Sequence, residues 1–168
     1  MLDWLWYLDW NDTFIVPVVH ALLHNVFGKF LTFALRQVAA DTDAATVISR
    51  EARKTLAARV DEVIPTADIG RTVKCPLKHL GLYTFEDFKN LALVYGNYLF
   101  ADILPPTLEA MYNNLVTATQ HYLTFGNFTA ASRRAARDAL LEYARAAERL
   151  GPVAACLLTP SLHILVCR

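Results

Sequence analysis

His20 and His24 stand four residues apart, the spacing that puts two imidazoles on one face of a helix and can begin a zinc site. No Glu lies between them and no third ligand is evident, so a packed or wet His pair is expected and metal binding is not. Cys75 and His79 repeat the spacing and get the same reading, because no second Cys accompanies them. Asp9, Asp12, Glu86 and Asp87 could act as acids or bases, but all sit where helix caps and turns want carboxylates. There is no glycine-rich phosphate loop and no nucleophile motif. The chain is therefore expected to be no enzyme and to need no cofactor.

The elements that would carry these residues are helical. Glycine and proline are few, 6 and 7 in 168 residues, and the long stretches between them have helical periodicity. Leu2 to Asp9 is a short aromatic segment holding Trp4, Trp6 and Tyr7. Pro17 suits the first turn of a helix over Val18 to Val38, whose apolar residues recur every three or four. A half-wet helix follows over Ala44 to Val63 and stops at Pro65. Residues 66–83 read as a long loop, then Thr84 and Asp87 form a capping box for a helix over Phe85 to Ile103. Pro105 and Pro106 interrupt, and Thr107 to Phe125 continues or follows it. Asn127 caps a basic, alanine-rich helix over roughly Phe128 to Leu150, which Gly151 and Pro152 end. Val153 to Val166 reads as an extended arm because Pro152 and Pro160 break it.

Composition then narrows the function. Hydrophobic residues make up 55% and charged residues 19%, more apolar material than a lone domain of this length needs. The surplus points to a large self-interface, a partner or a membrane. Lys plus Arg equals Asp plus Glu at 16 each, so no overall basic excess holds nucleic acid, and little self-repulsion opposes association. The arginines of the last long helix (Arg133, Arg134, Arg137, Arg145 and Arg149) alternate with alanines and are offset by Asp138, Glu142 and Glu148, a solvated face. Three cysteines without a paired spacing suit a reduced, intracellular chain. Leu91 to Leu104 is too short to span a bilayer and the prolines interrupt Leu150 to Val166, so membrane insertion is not expected.

Two stretches resemble the core (capsid) protein family of hepadnaviruses and their non-enveloped fish relatives, the nackednaviruses. In Asp12-Thr13-Phe14-Ile15-Val16-Pro17-Val18-Val19-His20-Ala21-Leu22-Leu23, Pro17 with Leu22 and Leu23 matches the family's spacing from proline to a Leu pair. Leu123-Thr124-Phe125-Gly126 matches a tetrapeptide at the family's junction of two helices. The order of the parts is similar too. The resemblance implies one all-α assembly domain over residues 1–168: N-terminal helices over 1–40, a helical hairpin over 44–125 containing the 66–83 loop, and a C-terminal helix and arm over 127–168. The hairpin, Ala44 to Val63 against Phe85 to Phe125, would pair with a second copy as a four-helix bundle.

By the same resemblance, Leu91, Leu93, Val94, Tyr98, Leu99 and Phe100 would make the dimer contact. Phe14, Ile15, Pro17, Leu140, Leu141, Tyr143, Pro152 and Pro160, with the arm between and beyond those prolines, would join dimers into an icosahedral shell enclosing the viral genome. The family's arginine-rich tail has no counterpart here, so viral nucleic acid would be held through a basic tail outside this chain. The resemblance places such a protein in the virion, and in host cytoplasm or nucleus during assembly. The competing reading is a viral Bcl-2-like bundle that captures an amphipathic helix in a groove, faintly suggested by Ile69-Gly70-Arg71.

Overall fold

The structure is a computed structural model whose described residues are 20–36, 47–65, 69, 72–123 and 129–167. Every regular element among them is helical. A π-wound segment, His20–Phe27, runs into α1 (Gly28–Ala34). Helix α2 (Arg50–Glu62) begins at Ser49, whose hydroxyl accepts from the Ala52 N–H, so residues 47–49 lie outside the helix expected from Ala44. The expected loop contains a short helix, α3 (Pro76–His79), and a 3-10 turn, Leu80–Leu82. The expected third helix is divided into α4 (Phe85–Asn90), a π-wound stretch Leu91–Tyr95, and α5 (Gly96–Phe100). Thr84 and Asp87 do form the capping box.

A tight turn follows, with Asp102 in the left-handed region at φ 56°. Helix α6 (Pro106–Tyr122) starts on its proline, and α7 (Ala130–Arg149) is capped by the Thr129 hydroxyl. Gly151 supplies the positive φ, 71°, that ends α7.

The C-terminal segment corrects the expectation of an extended arm. It folds into a 3-10 helix (Gly151–Leu157) and α8 (Pro160–Cys167). Pro152 lies in the first turn of the former and Pro160 begins the latter, positions where proline's missing N–H costs no helical bond. Leu157, Leu162 and Leu165 are buried, and two bonds fasten α8 inward. The Asn25 amide donates to Ser161 Oγ at 3.0 Å, and the Tyr122 hydroxyl donates to the Leu165 carbonyl at 3.2 Å.

The hairpin is also placed differently. The most extensive helix pairing is α6 with α7, not 44–63 with 85–125. Helix α2 buries only Leu56 and Val60, too narrow an apolar stripe to be a main packing partner. Helix α7 buries Ala136, Ala139, Ala146 and Ala147 around Leu140 and Tyr143, and those small side chains let α6 approach closely. The core this creates is aromatic at its centre. Tyr112 of α6 meets Phe27 at 6.0 Å and Phe100 at 5.2 Å between centroids, while Phe30 meets Tyr143 at 6.2 Å.

Candidate assembly surface

The residues from Leu91 to Phe100 divide between two environments. Leu91, Leu99 and Phe100 are buried in the chain's own core. They have no surface left for a second chain, which corrects the expectation that they form a dimer contact. Leu93, Val94 and Tyr98 point outward and are 37%, 48% and 47% exposed. Ile64, just past the end of α2, and Leu82 are exposed further.

The winding explains the division. In the π-wound turn Leu91–Tyr95 the backbone rotates less per residue than in an α-helix, so the apolar positions do not stay on one stripe. Gly96 sits where that turn passes α6. A Cβ at Gly96 would collide with the Tyr112 hydroxyl and come within 2.9 Å of its ring, so only glycine permits this approach. The Tyr112 hydroxyl reaches the Leu91 carbonyl at 3.4 Å, and burial pushes its pKa up.

The outward face is held in place. Arg59 of α2 directs Nη1 at the carbonyls of Tyr98, Leu99 and Ala101, at 3.1, 3.4 and 2.5 Å. One guanidinium thus serves the acceptors left open where α5 ends without a glycine. Its carbon lies 5.6 Å from the centre of the Tyr98 ring. The Tyr98 hydroxyl donates to Glu62 Oε2 at 2.7 Å, and that bond is the main reason its pKa is raised. An exposed tyrosine is usually mobile; this one is tied to α2 at its backbone and at its hydroxyl.

The segment before α4 is tied down too. The Lys74 ammonium donates to Asp87 Oδ2 at 2.7 Å and to the Leu82 carbonyl at 3.3 Å, and the Tyr83 hydroxyl donates to the Lys74 carbonyl at 2.5 Å. Burial would raise the Asp87 carboxyl pKa, but Lys74 and the two Thr84 donors outweigh it and hold the pKa below the usual value. Val73, Cys75, Leu77 and Leu80 pack on the core from this segment, so the described part of the 66–83 region lies against α4 rather than standing away from it.

The residues expected between dimers are scattered. Phe14, Ile15 and Pro17 lie outside the described residues, as do the rest of the Pro17 motif before His20 and the Thr124-Phe125-Gly126 of the second motif. Leu140 and Tyr143 are fully buried inside the chain and Leu141 is half-buried, so the first two cannot be contacts. Pro152 and Pro160 are exposed, next to the outward Val153 and Leu158. Deleting Val153 to Arg168 would remove core leucines and unfold the chain, so that truncation cannot serve as a clean test of an assembly clamp.

The other candidates resolve simply. The His20 and His24 rings lie 5.2 Å apart, and His24 packs edge-on against Phe88 at 5.2 Å. Among the described residues no three His, Cys, Asp or Glu side chains gather as metal ligands, and no helix is long and apolar enough to cross a membrane. Cys75 is half-buried, Cys156 is exposed, and both are free thiols. No protein-family model matches the chain, and none of the curated proteins or solved structures compared with it matches either.

Proposed function

We propose that this chain is a self-assembling shell protein of the viral-core kind, built from dimers that meet through the outward face of the π-wound turn Leu91–Tyr95 and α5. The observation that carries the reading is the apolar trio Leu93, Val94 and Tyr98, exposed yet immobilised through Tyr98 by Glu62 and Arg59. Large aromatic side chains ordered before contact are what an interface centre uses. Val153 and Leu158 give a second exposed apolar site, on the C-terminal segment, for contacts between dimers. The two sequence motifs support the same reading. Each contact can be weak, since a Kd of about 1 mM corresponds to only about 4 kcal/mol, and many contacts made together hold a shell.

The groove-binding alternative has less support. A groove for an amphipathic helix needs a continuous apolar floor. In one open cleft Asn97, Asp102, Glu109 and Asn113 interrupt the apolar lining from Phe100, Leu104 and Tyr112, and in another four cations stand beside Val47, Ile48 and Ala57.

Size-exclusion chromatography with light scattering, together with negative-stain electron microscopy at low and high salt, tests the proposal. Hollow particles of uniform size in equilibrium with dimers are expected. A monodisperse monomer at every salt concentration would overturn it.

A further inference from the structure

A cleft of about 510 Å³ lies between the end of α1 and the first half of α2. Four of its described lining residues are cations, Arg36, Arg50, Arg53 and Lys54, and none of the described ones is acidic; Val47 and Ile48 add aliphatic surface. The chain as a whole is neutral, so this is a local concentration of positive charge. The nearest offsetting group on α2 is Glu51, which sits 3.0 Å from Lys54. The basic helix α7 likewise mixes its arginines with Asp138, Glu142 and Glu148, and Arg145 pairs with Glu142 as Lys54 does with Glu51.

The arginines of the cleft are also set in position. Arg53 Nη1 donates to the Leu35 carbonyl at 2.6 Å and reaches that of Arg36 at 3.4 Å. Both bonds use one nitrogen, which leaves Nε and Nη2, the edge that binds an oxyanion in bidentate fashion. Arg36 donates from Nη1 to the Phe33 carbonyl at 2.8 Å and lies 3.6 Å over the Phe33 ring. Arg50, at the first position of α2, is exposed and makes no ion pair among the described residues. Guanidinium groups fixed before a ligand arrives lose little freedom when it binds.

We propose that this cleft is a binding site for adjacent phosphate groups, with Arg50, Arg53 and Lys54 as the contacting residues and Arg36 forming one wall. The ligand is read by charge alone. Arg36 covers the ring of Phe33 and the other apolar residues among the described lining are aliphatic, so no aromatic ring there is open to a base. The phosphates of a nucleic-acid backbone and those of a free polyphosphate share this chemistry.

The test uses the full chain in unassembled form, so its outcome is independent of shell formation. Binding is followed by anisotropy of a labelled octathymidylate and by calorimetry with inorganic tripolyphosphate, at low salt. Arg50→Ala combined with Lys54→Ala removes two exposed side chains and leaves the core untouched; circular dichroism checks the fold. At least tenfold weaker binding is expected, with a shallower dependence of affinity on salt. Arg133→Ala, Arg134→Ala and Arg137→Ala together should keep the wild-type affinity. Displacement of the oligonucleotide by tripolyphosphate assigns the cleft to phosphates of either source, and tripolyphosphate binding alone assigns it to the free anion. The proposal is overturned if the wild-type chain binds neither probe, if the cleft variant binds both as tightly as the wild type, or if the α7 variant is the one that loses binding.

Discussion

Helices α5 and α7 both bury one face, but their outer faces differ. The outer face of α7 is a mixture of arginines and acids, while Ala136, Ala139, Ala146, Ala147 and Tyr143 point inward. That is the pattern of an element whose packing is complete within one chain. The outer face of α5 and the turn before it presents Leu93, Val94 and Tyr98 instead, with Ile64 and Leu82 also uncovered in this chain. Single exposed apolar residues are ordinary, whereas a trio on one short segment, fixed by its neighbours, is a surface that lacks a cover. The contrast separates stability, which lies on the inner faces of both helices, from the proposed association, which would use the outer face of one.

Substitutions can break that separation. The largest effect is expected at Leu99, the inward partner of the exposed trio. Leu99→Ala should destabilise the monomer by about 2–5 kcal/mol, read from urea unfolding, because it empties a fully buried site. A change below about 1 kcal/mol would mean that this face is not core. Gly96→Ala comes next, at about 1–3 kcal/mol, since the added methyl must push Tyr112 away.

Asp87→Asn should cost about 1 kcal/mol at neutral pH through loss of the Lys74 pair and a weakened cap. Its pH dependence has a definite sign. The folded carboxyl titrates below its unfolded value, so its contribution is present above about pH 4 and is lost as pH falls through the lower folded value. The Asp87→Asn chain should therefore be less sensitive to acid than the wild type over that window. Smallest in stability, within about 0.5 kcal/mol, is Leu93→Glu with Val94→Glu, yet this pair should abolish the dimer in light scattering. An unchanged dimer would remove the turn before α5 from the interface.

Much of the helical framework was legible in the sequence, and particular residues show where legibility ends. Thr84 and Asp87 announced their capping box, and Gly151 with Pro152 marked the end of α7, because these signals act within a few residues. Pro152 and Pro160 misled, since a proline at the start of a helix and one that breaks a helix look alike until the neighbouring backbone is known. The π-wound turns at His20–Phe27 and Leu91–Tyr95 are not legible, because over so few residues an apolar pattern does not distinguish a π turn from an α-helix of period 3.6. Without the winding, Leu91, Leu99 and Phe100 could not be separated from Leu93, Val94 and Tyr98. Periodicity shows that a residue is apolar on a face, but only tertiary packing decides whether that face is covered by its own chain. The phosphate cleft was hidden for a related reason. Arg36 and Arg53 lie 17 positions apart and meet only because α1 and α2 do.

The clasp on Tyr98 bears on the speed of any encounter at this face. A side chain that must search its rotamers delays productive contact after each collision, whereas a ring already docked on Glu62 and Arg59 is ready on arrival. Association there would be governed by diffusion and orientation, and the lifetime of the contact by how much apolar surface it covers. Loosening the clasp without changing the ring, as in Glu62→Ala, would slow docking while leaving escape nearly unchanged.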